Sequence, residues 1–183
     1  MNRFDIQLVK LSADQAAQSG LRQIYEEAFP PQERRPWELI DHLPEEFSIY
    51  GIKCDGVLKG LITLWKFEGE IAYIEHFAVD SAMRGAGIGA STLAAVRQIA
   101  SPLPIVLEVE PEGSSPDAAR RIGFYRRNGF VDFADFDYIQ PPYSPGLPPV
   151  KLTIMASDST VDPRAVAGRL HRSVYGVQDT HGL

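Results

Sequence analysis

The sequence predicts a mixed α/β protein of the α+β kind, with a mostly antiparallel central sheet of six to seven strands flanked by helices. Three observations carry that expectation. Phe47–Lys53, Val57–Phe67 and Glu70–Val79 are apolar runs of strand length, separated by Asp55-Gly56 and Glu68-Gly69, pairs that hairpin turns select. The last of these runs crosses a short polar turn into Arg84-Gly85-Ala86-Gly87-Ile88-Gly89 and continues as a helix to about Ala100. A strand, a helix and two closing strands then follow, to Met155.

Each element has its own local reason. Phe4–Val9 alternates and reads as a first strand. Ser12 caps a helix carrying Leu21, Ile24, Tyr25, Ala28 and Phe29, which Pro30-Pro31 ends. Gln32–Trp37 is a charged loop with one aromatic, and Glu38–Leu43 a short helix. After the glycines, Leu93, Val96 and Ala100 share one side of the next helix, and Pro104–Glu110 is a strand. Ser115-Pro116-Asp117 starts another helix, with a capping serine, a proline at the first helical position and an acid in the first turn. Ala118, Ile122 and Tyr125 share one face of it, and Gly129 ends it. Val131–Ile139 and Val150–Met155 are the closing strands, joined through the Pro-rich Pro141–Pro149. Asp162–Tyr175 places Val166, Leu170 and Val174 at helical spacing and predicts an appended helix.

Composition narrows the class. A chain of 183 residues with 44% hydrophobic and 23% charged residues is an ordinary globular protein. The expectation is one domain over residues 1–156 followed by a tail, 157–183. The single cysteine, Cys54, excludes an internal disulfide and a Cys-rich metal site, so no metal is expected and a reducing cytoplasm is the default location. No run reaches transmembrane length and Met1–Lys10 lacks the apolar core of a signal peptide, so no membrane partner is expected. A net charge of −6 argues against a nucleic-acid surface and favours cationic partners.

The strand–glycine turn–helix unit is a candidate anion site. Glycines let backbone N–H groups approach a ligand, and the first turn of a helix leaves such groups unpaired at its positive end. Arg84 would add a fixed charge. Gly85-x-Gly87-x-x-Ala90, with Glu108 downstream, also fits a dinucleotide fingerprint. In that fold, however, the glycine turn closes the first strand of a βαβ unit, whereas here three or four strands come first.

Val79-Asp80-x-x-x-Arg84-Gly85-x-Gly87-Ile88-Gly89 resembles the acyl-CoA loop of the GNAT superfamily of N-acetyltransferases, whose R/Q-x-x-G-x-G/A is matched by Arg84, Gly87 and Gly89. Phe124-Tyr125-x-x-x-Gly129-Phe130 is similar to the Y-x-x-x-G-F of the same superfamily, and the resemblance spans roughly Phe4 to Met155. It implies a GNAT-type fold and acyl-CoA-dependent N-acyltransfer, with acetyl passing from acetyl-CoA to a primary amine in a ternary complex. It implies further that the backbone of Phe77, Ala78 and Val79 pairs with the pantetheine arm, and that Arg84, Gly85, Ala86, Gly87, Ile88, Gly89 and Ala90 hold the pyrophosphate. Glu33, Arg34 and Trp37 fall in the region that borders the acceptor cleft in such proteins. The implied partner is a small-molecule or peptide amine, and homodimers are common in the superfamily. The other reading is a non-catalytic acyl-CoA-binding sensor or interaction module.

By the same resemblance, Tyr125 occupies the position of the tyrosine that such enzymes often use to protonate the CoA sulfur, and a phenol near pKa 10 suits that task. Glu75 and Glu108 are carboxylates inside apolar strands, which is costly unless they are paired, so either is a candidate base or cation-binding group. The structural alternative pairs them with Arg120, Arg121, Arg126 or Arg127. Period-2 alternation puts Glu75 on the face of Tyr73 and Phe77, with His76 opposite as a packed histidine. Ala118 stands where many GNAT proteins carry a CoA-contacting Asn, so that either Ser115 or Asp117 substitutes or the contact is absent. Cys54 lies far from both motifs, which favours direct transfer over an acyl-cysteine.

Overall fold

The computed structural model describes residues 4–83 and 85–177. The strands build an open, mostly antiparallel sheet with helices against it, and the chain divides into two compact units, Met1–Ile105 and Val106–Leu183.

The first unit is an antiparallel meander of β1 (Ile6–Leu11), β2 (Phe47–Cys54), β3 (Val57–Phe67) and β4 (Ile71–Val79), paired in that order. Its turns are built as the sequence expects. Asp55 (φ 50°), Gly56 (φ 83°) and Gly69 (φ 74°) all take the positive φ that tight hairpins need. The expected first helix is two, α1 (Ala13–Gln18) and α2 (Leu21–Ala28), because Gly20 sits between them at φ 79° and no helix continues through that conformation. Ser12 and Gln15 close a reciprocal capping box at the start of α1. The expected short helix is a 3₁₀ turn, Trp37–His42.

Apolar clusters among the described residues hold this unit. Leu21, Tyr25, Trp37 and Ile40 pack with Ile49, Leu61 and Ala78 on one face, each such burial contributing about 1.5–3 kcal/mol for the larger side chains. Ile52 and Cys54 pack with Ile88 on the other, joined by Phe77 and Val79. Ile88 opens α3 (Ile88–Ala100), so the helix that follows the glycines is anchored by its first residue. β3 and β4 run unusually close at Gly60, where a Cβ would stand 2.4 Å from the Ala78 carbonyl oxygen.

One register shift decides the site. Thr63 pairs with His76 but Leu64 pairs with Ile74, so Glu75 is the extra residue of a β-bulge in β4. The bulge overturns simple alternation. Glu75 shares its face with His76, the two side chains approaching to 3.9 Å, while Phe77 turns to the Ile88 side.

The second unit holds β5 (Ile105–Val109) from its second residue, α4 (Pro116–Arg127), β6 (Val131–Asp132), β7 (Tyr138–Gln140), β8 (Val150–Ala156) and α5 (Pro163–Ser173). β8 pairs antiparallel with β5, and both β6 and β7 also pair with β8. The strand expected over Val131–Ile139 is thus two short ones, interrupted by a turn in which Phe136 N–H donates to the Phe133 carbonyl at 3.0 Å. Ser115 caps α4, Gly129 ends it at φ 79°, and Ala118, Ile122 and Tyr125 form its buried face. α5 is capped by Asp162 and buries Val166, Ala167, Leu170 and His171. No helix among the described residues is long and apolar enough to cross a membrane.

Candidate active site

The glycine turn prepares a helix terminus. Asp80 starts it, its carboxylate accepting from the Ala82 N–H at 3.0 Å and its carbonyl from the Met83 N–H at 2.9 Å. Gly85 (φ 79°) and Gly87 (φ 86°) then adopt left-handed conformations that a side chain resists, and a Cβ on either would meet nothing within 4 Å. Gly87 is the residue before α3 and supplies no side-chain cap. The Ile88, Gly89 and Ala90 N–H groups therefore belong to an uncapped helix start, beside open space. This is the environment that an anionic diphosphate requires. Arg84 lies outside the described residues. Phe77, Ala78 and Val79 pair with Ile62, Leu61 and Gly60 of β3 along one edge of β4.

Glu75 sits in a polar cluster inside the first unit. Its side chain is 1% exposed, one oxygen bound by Arg35 Nη2 at 2.9 Å and the other by Trp65 Nε1 at 2.9 Å. Arg35 also lies over the Trp65 ring, 5.8 Å from its centroid. Burial by itself pushes the Glu75 carboxyl up, but Arg35, His76 and the Trp65 hydrogen bond together hold it below the usual carboxylate range. The partner is Arg35 and none of the four arginines weighed from sequence. Arg120 pairs with Asp117, Arg121 with Glu110, and Arg126 with Glu112 and Asp132.

His76 is buried and neutral, its pKa pulled down chiefly by burial. Thr63 Oγ1 accepts from the His76 backbone N–H at 3.0 Å, so its own proton goes to Nδ1 at 3.2 Å. That assigns the proton to Nε2, which donates to the Glu33 carbonyl at 3.1 Å. Tyr25 packs on the imidazole edge-on at 4.8 Å and donates its hydroxyl to the Arg35 carbonyl at 3.0 Å. The loop residues are tied into this cluster. Glu33 contributes its backbone oxygen, Arg34 donates to the Glu26 and Phe29 carbonyls at the end of α2, and Trp37 is buried edge-on against Tyr25.

Tyr125 is 7% exposed on the buried face of α4, with Phe124 at 5.2 Å and Phe130 at 5.6 Å between ring centroids. Burial pushes its phenol up to about 12, with Arg121 opposing weakly. Among the described residues none hydrogen-bonds to the hydroxyl.

Glu108 lies in β5 opposite Ile154 of β8, and Tyr138 lies opposite Leu152 on β8's other pairing side. Paired residues share a face, so the Tyr138 hydroxyl reaches across β8 and donates to Glu108 Oε1. Tyr175, just beyond α5, donates to Oε2 at 2.7 Å. Tyr143 packs on Tyr175 with ring centroids 5.1 Å apart and hydroxyls at 3.5 Å. Burial and the Glu108 charge raise the Tyr138 phenol well above its ordinary range, so it stays a donor. Arg35, Tyr138 and Tyr175 were not foreseeable as partners of the two carboxylates. Each lies far along the chain from the residue it binds, and no local pattern marks it.

Residues 15–130 match the family model of the acetyltransferase (GNAT) family. A GNAT-family acetyltransferase from Bacteroides thetaiotaomicron is 34% identical, with 95% of this chain and 99% of that one covered, at a TM-score of 0.81. A Bacillus subtilis acetyltransferase solved in complex with CoA is 17% identical over 85% of this chain and 99% of that one, at a TM-score of 0.57. The ribosomal-protein-S18-alanine N-acetyltransferase of Escherichia coli is 17% identical over 83% and 92%, at a TM-score of 0.58. These last two show the same fold. No functionally curated protein matches the sequence.

Proposed function

We propose, from the premise that the chain belongs to the GNAT acetyltransferase family, that it moves acetyl from acetyl-CoA to a primary amine by direct attack in a ternary complex. The observation that carries this reading is the left-handed Gly85/Gly87 turn opening on the uncapped start of α3. There the Ile88, Gly89 and Ala90 N–H groups, with Arg84, hold the pyrophosphate, and the backbone of Phe77, Ala78 and Val79 lies along the pantetheine arm.

Acetyl-CoA supplies the activated carbonyl. The amine nitrogen bonds to that carbon as the carbon–sulfur bond breaks; the sulfur takes a proton from Tyr125, and the nitrogen releases one to Glu108 or through water to solvent. Glu108, whose hydrogen-bond partners include the neutral phenols of Tyr138 and Tyr175, suits the amine better than Glu75, which a guanidinium holds. Both Glu75 oxygens are engaged by Arg35 and Trp65, and its depressed pKa makes it a weak base. A phenol near 12 is a reluctant acid towards a thiolate, so Tyr125 contributes at the lower end of general-acid effects.

Two measurements test this. Acetyl-CoA should raise the melting temperature in proportion to the logarithm of its concentration, and Arg84→Ala should weaken that rise, whereas NADH should have no effect. With an amine panel, Tyr125→Phe should lower kcat by about 100-fold while acetyl-CoA still binds. Full turnover in Tyr125→Phe removes the acid. Binding without acetylation of any amine favours the acyl-CoA-sensing module instead.

A further inference from the structure

Among the described residues, packing alone orients the Tyr125 ring. None of them hydrogen-bonds to its hydroxyl, and the rings of Phe124 and Phe130 stand edge-on to it, with centroids 5.2 and 5.6 Å away. We infer, building on the reading above, that Arg126 is a positioning residue for Tyr125: its guanidinium clamps Glu112 and Asp132 across the reversal that ends α4, and so fixes Phe130, the wall against which the phenol is held.

The reversal is short. Gly129 turns the chain at φ 79°, and the Tyr125 carbonyl accepts from the Asn128 N–H at 3.0 Å and the Phe130 N–H at 3.1 Å. Two residues after Phe130, Asp132 of β6 accepts from Arg126 Nε at 2.8 Å and from Nη2 at 3.0 Å. That ion pair closes the loop in which Phe130 lies. The other edge of the same guanidinium binds Glu112, in the segment between β5 and α4, through Nη1 and Nη2 at 2.9 Å each. Both carboxylates are thus held by two bonds, which fix direction as well as distance. An isolated exposed pair would hold little, but a guanidinium bidentate to two carboxylates, one of them with its side chain only 16% exposed, is a network. The Arg126 hydrogen bonds hold the Asp132 carboxyl below its ordinary range, with burial opposing, so this half of the clamp stays charged at neutral pH. Arg126 acts through the wall and not on the reacting atoms. Its loss should therefore show in where Tyr125 sits, and an acid misplaced by about an ångström can cost up to about 100-fold in rate.

The full chain with its tyrosines labelled with carbon-13 at Cζ tests this by NMR without any acceptor. Of the 7 tyrosine signals, that of Tyr125 is the one lost in Tyr125→Phe. It should shift or broaden in Arg126→Met and, more weakly, in Asp132→Asn. Arg120→Met, which removes the α4 cation paired with Asp117, should leave it in place. Asp132 is no chain neighbour of Tyr125, so its variant reports the clamp itself and decides the matter if Arg126→Met fails to fold. With acetyl-CoA and an amine that is turned over, Arg126→Met should lower kcat about 5- to 20-fold while the KM for acetyl-CoA stays within about twofold. In a Tyr125→Phe background the same substitution should change kcat by less than about twofold. A Tyr125 signal unmoved in both clamp variants overturns the positioning role and leaves Arg126 a surface fastener. Where Tyr125→Phe is itself slow, an undiminished further loss on adding Arg126→Met overturns it too. The two ideas fail separately. Full turnover in Tyr125→Phe with the signal moved sinks the acid alone, and slow turnover there with the signal unmoved sinks the clamp alone.

Discussion

Glu75 shows how a charge is kept inside a sheet. Its carboxylate is fully enclosed, and the 2.9 Å contacts to Arg35 and Trp65 replace the water it has lost. Because its folded pKa lies below the ordinary 4.5, the stability it contributes is present above that value and is lost as pH falls through the depressed one. His76 acts earlier in the same direction. Burial lowers it from 6.5, so the unfolded chain takes up a proton first and stability declines once pH drops below about that value. Arg35→Met should cost about 3–5 kcal/mol at neutral pH, since it strands a buried carboxylate. It should also raise the Glu75 pKa above its unfolded value, reversing the sign of that contribution, so the deficit relative to wild type shrinks on moving from pH 7 to pH 5. Urea unfolding at the two pH values measures this, and a deficit independent of pH would show that Glu75 carries no buried charge.

Among the elements, β4 does most to shape the site. The bulge at Glu75 turns two consecutive polar side chains to one face, so that carboxylate and imidazole meet beside Thr63 and Trp65. Past the bulge, β3 and β4 close up at Gly60, opposite Val79, just before the turn that leads to the glycine loop. A methyl group there would stand 2.4 Å from a backbone oxygen and 3.0 Å from the Val79 Cα, neither of which is the movable end of a side chain. Gly60→Ala should therefore destabilise by about 1–3 kcal/mol through overpacking and lower the melting temperature. A melting temperature equal to wild type would show that the two strands separate freely at that point. Local signals made several elements legible in advance. The capping serines at Ser12 and Ser115, the positive-φ hairpin residues and the apolar face of α4 are all set within a few residues. The break at Gly20 carried a signal too, the Ser19-Gly20 pair, but the apolar residues on either side of it kept helical spacing and masked it.

For the whole molecule, the tail is part of the second unit's packing. α5 buries Val166, Leu170 and His171, the His171 ring lies 5.5 Å from Tyr138, and Tyr175 closes on Glu108. A chain ending after Ser157 should thus lose the burial of several large side chains, at about 1.5–3 kcal/mol each, and melt markedly lower or fail to accumulate folded. Differential scanning calorimetry of the truncated and full chains checks this; equal melting temperatures would make α5 an independent appendage.

By itself the sequence determined the class of fold, the glycine turn, the family and, apart from the breaks at Gly20 and between Asp132 and Tyr138, the order of strands and helices. All of these are written in spacings of a few residues, where backbone preferences and periodicity act. Tertiary structure alone decided what the two strand carboxylates contact. Glu75 meets Arg35 forty positions away and Glu108 meets Tyr175 sixty-seven positions away, contacts set by sheet register and helix docking. A one-residue bulge reversed the face assigned to His76, because period-2 alternation holds only while the ladder is regular. Spacing names the residues that can do chemistry, and only the folded register says which of them are already engaged.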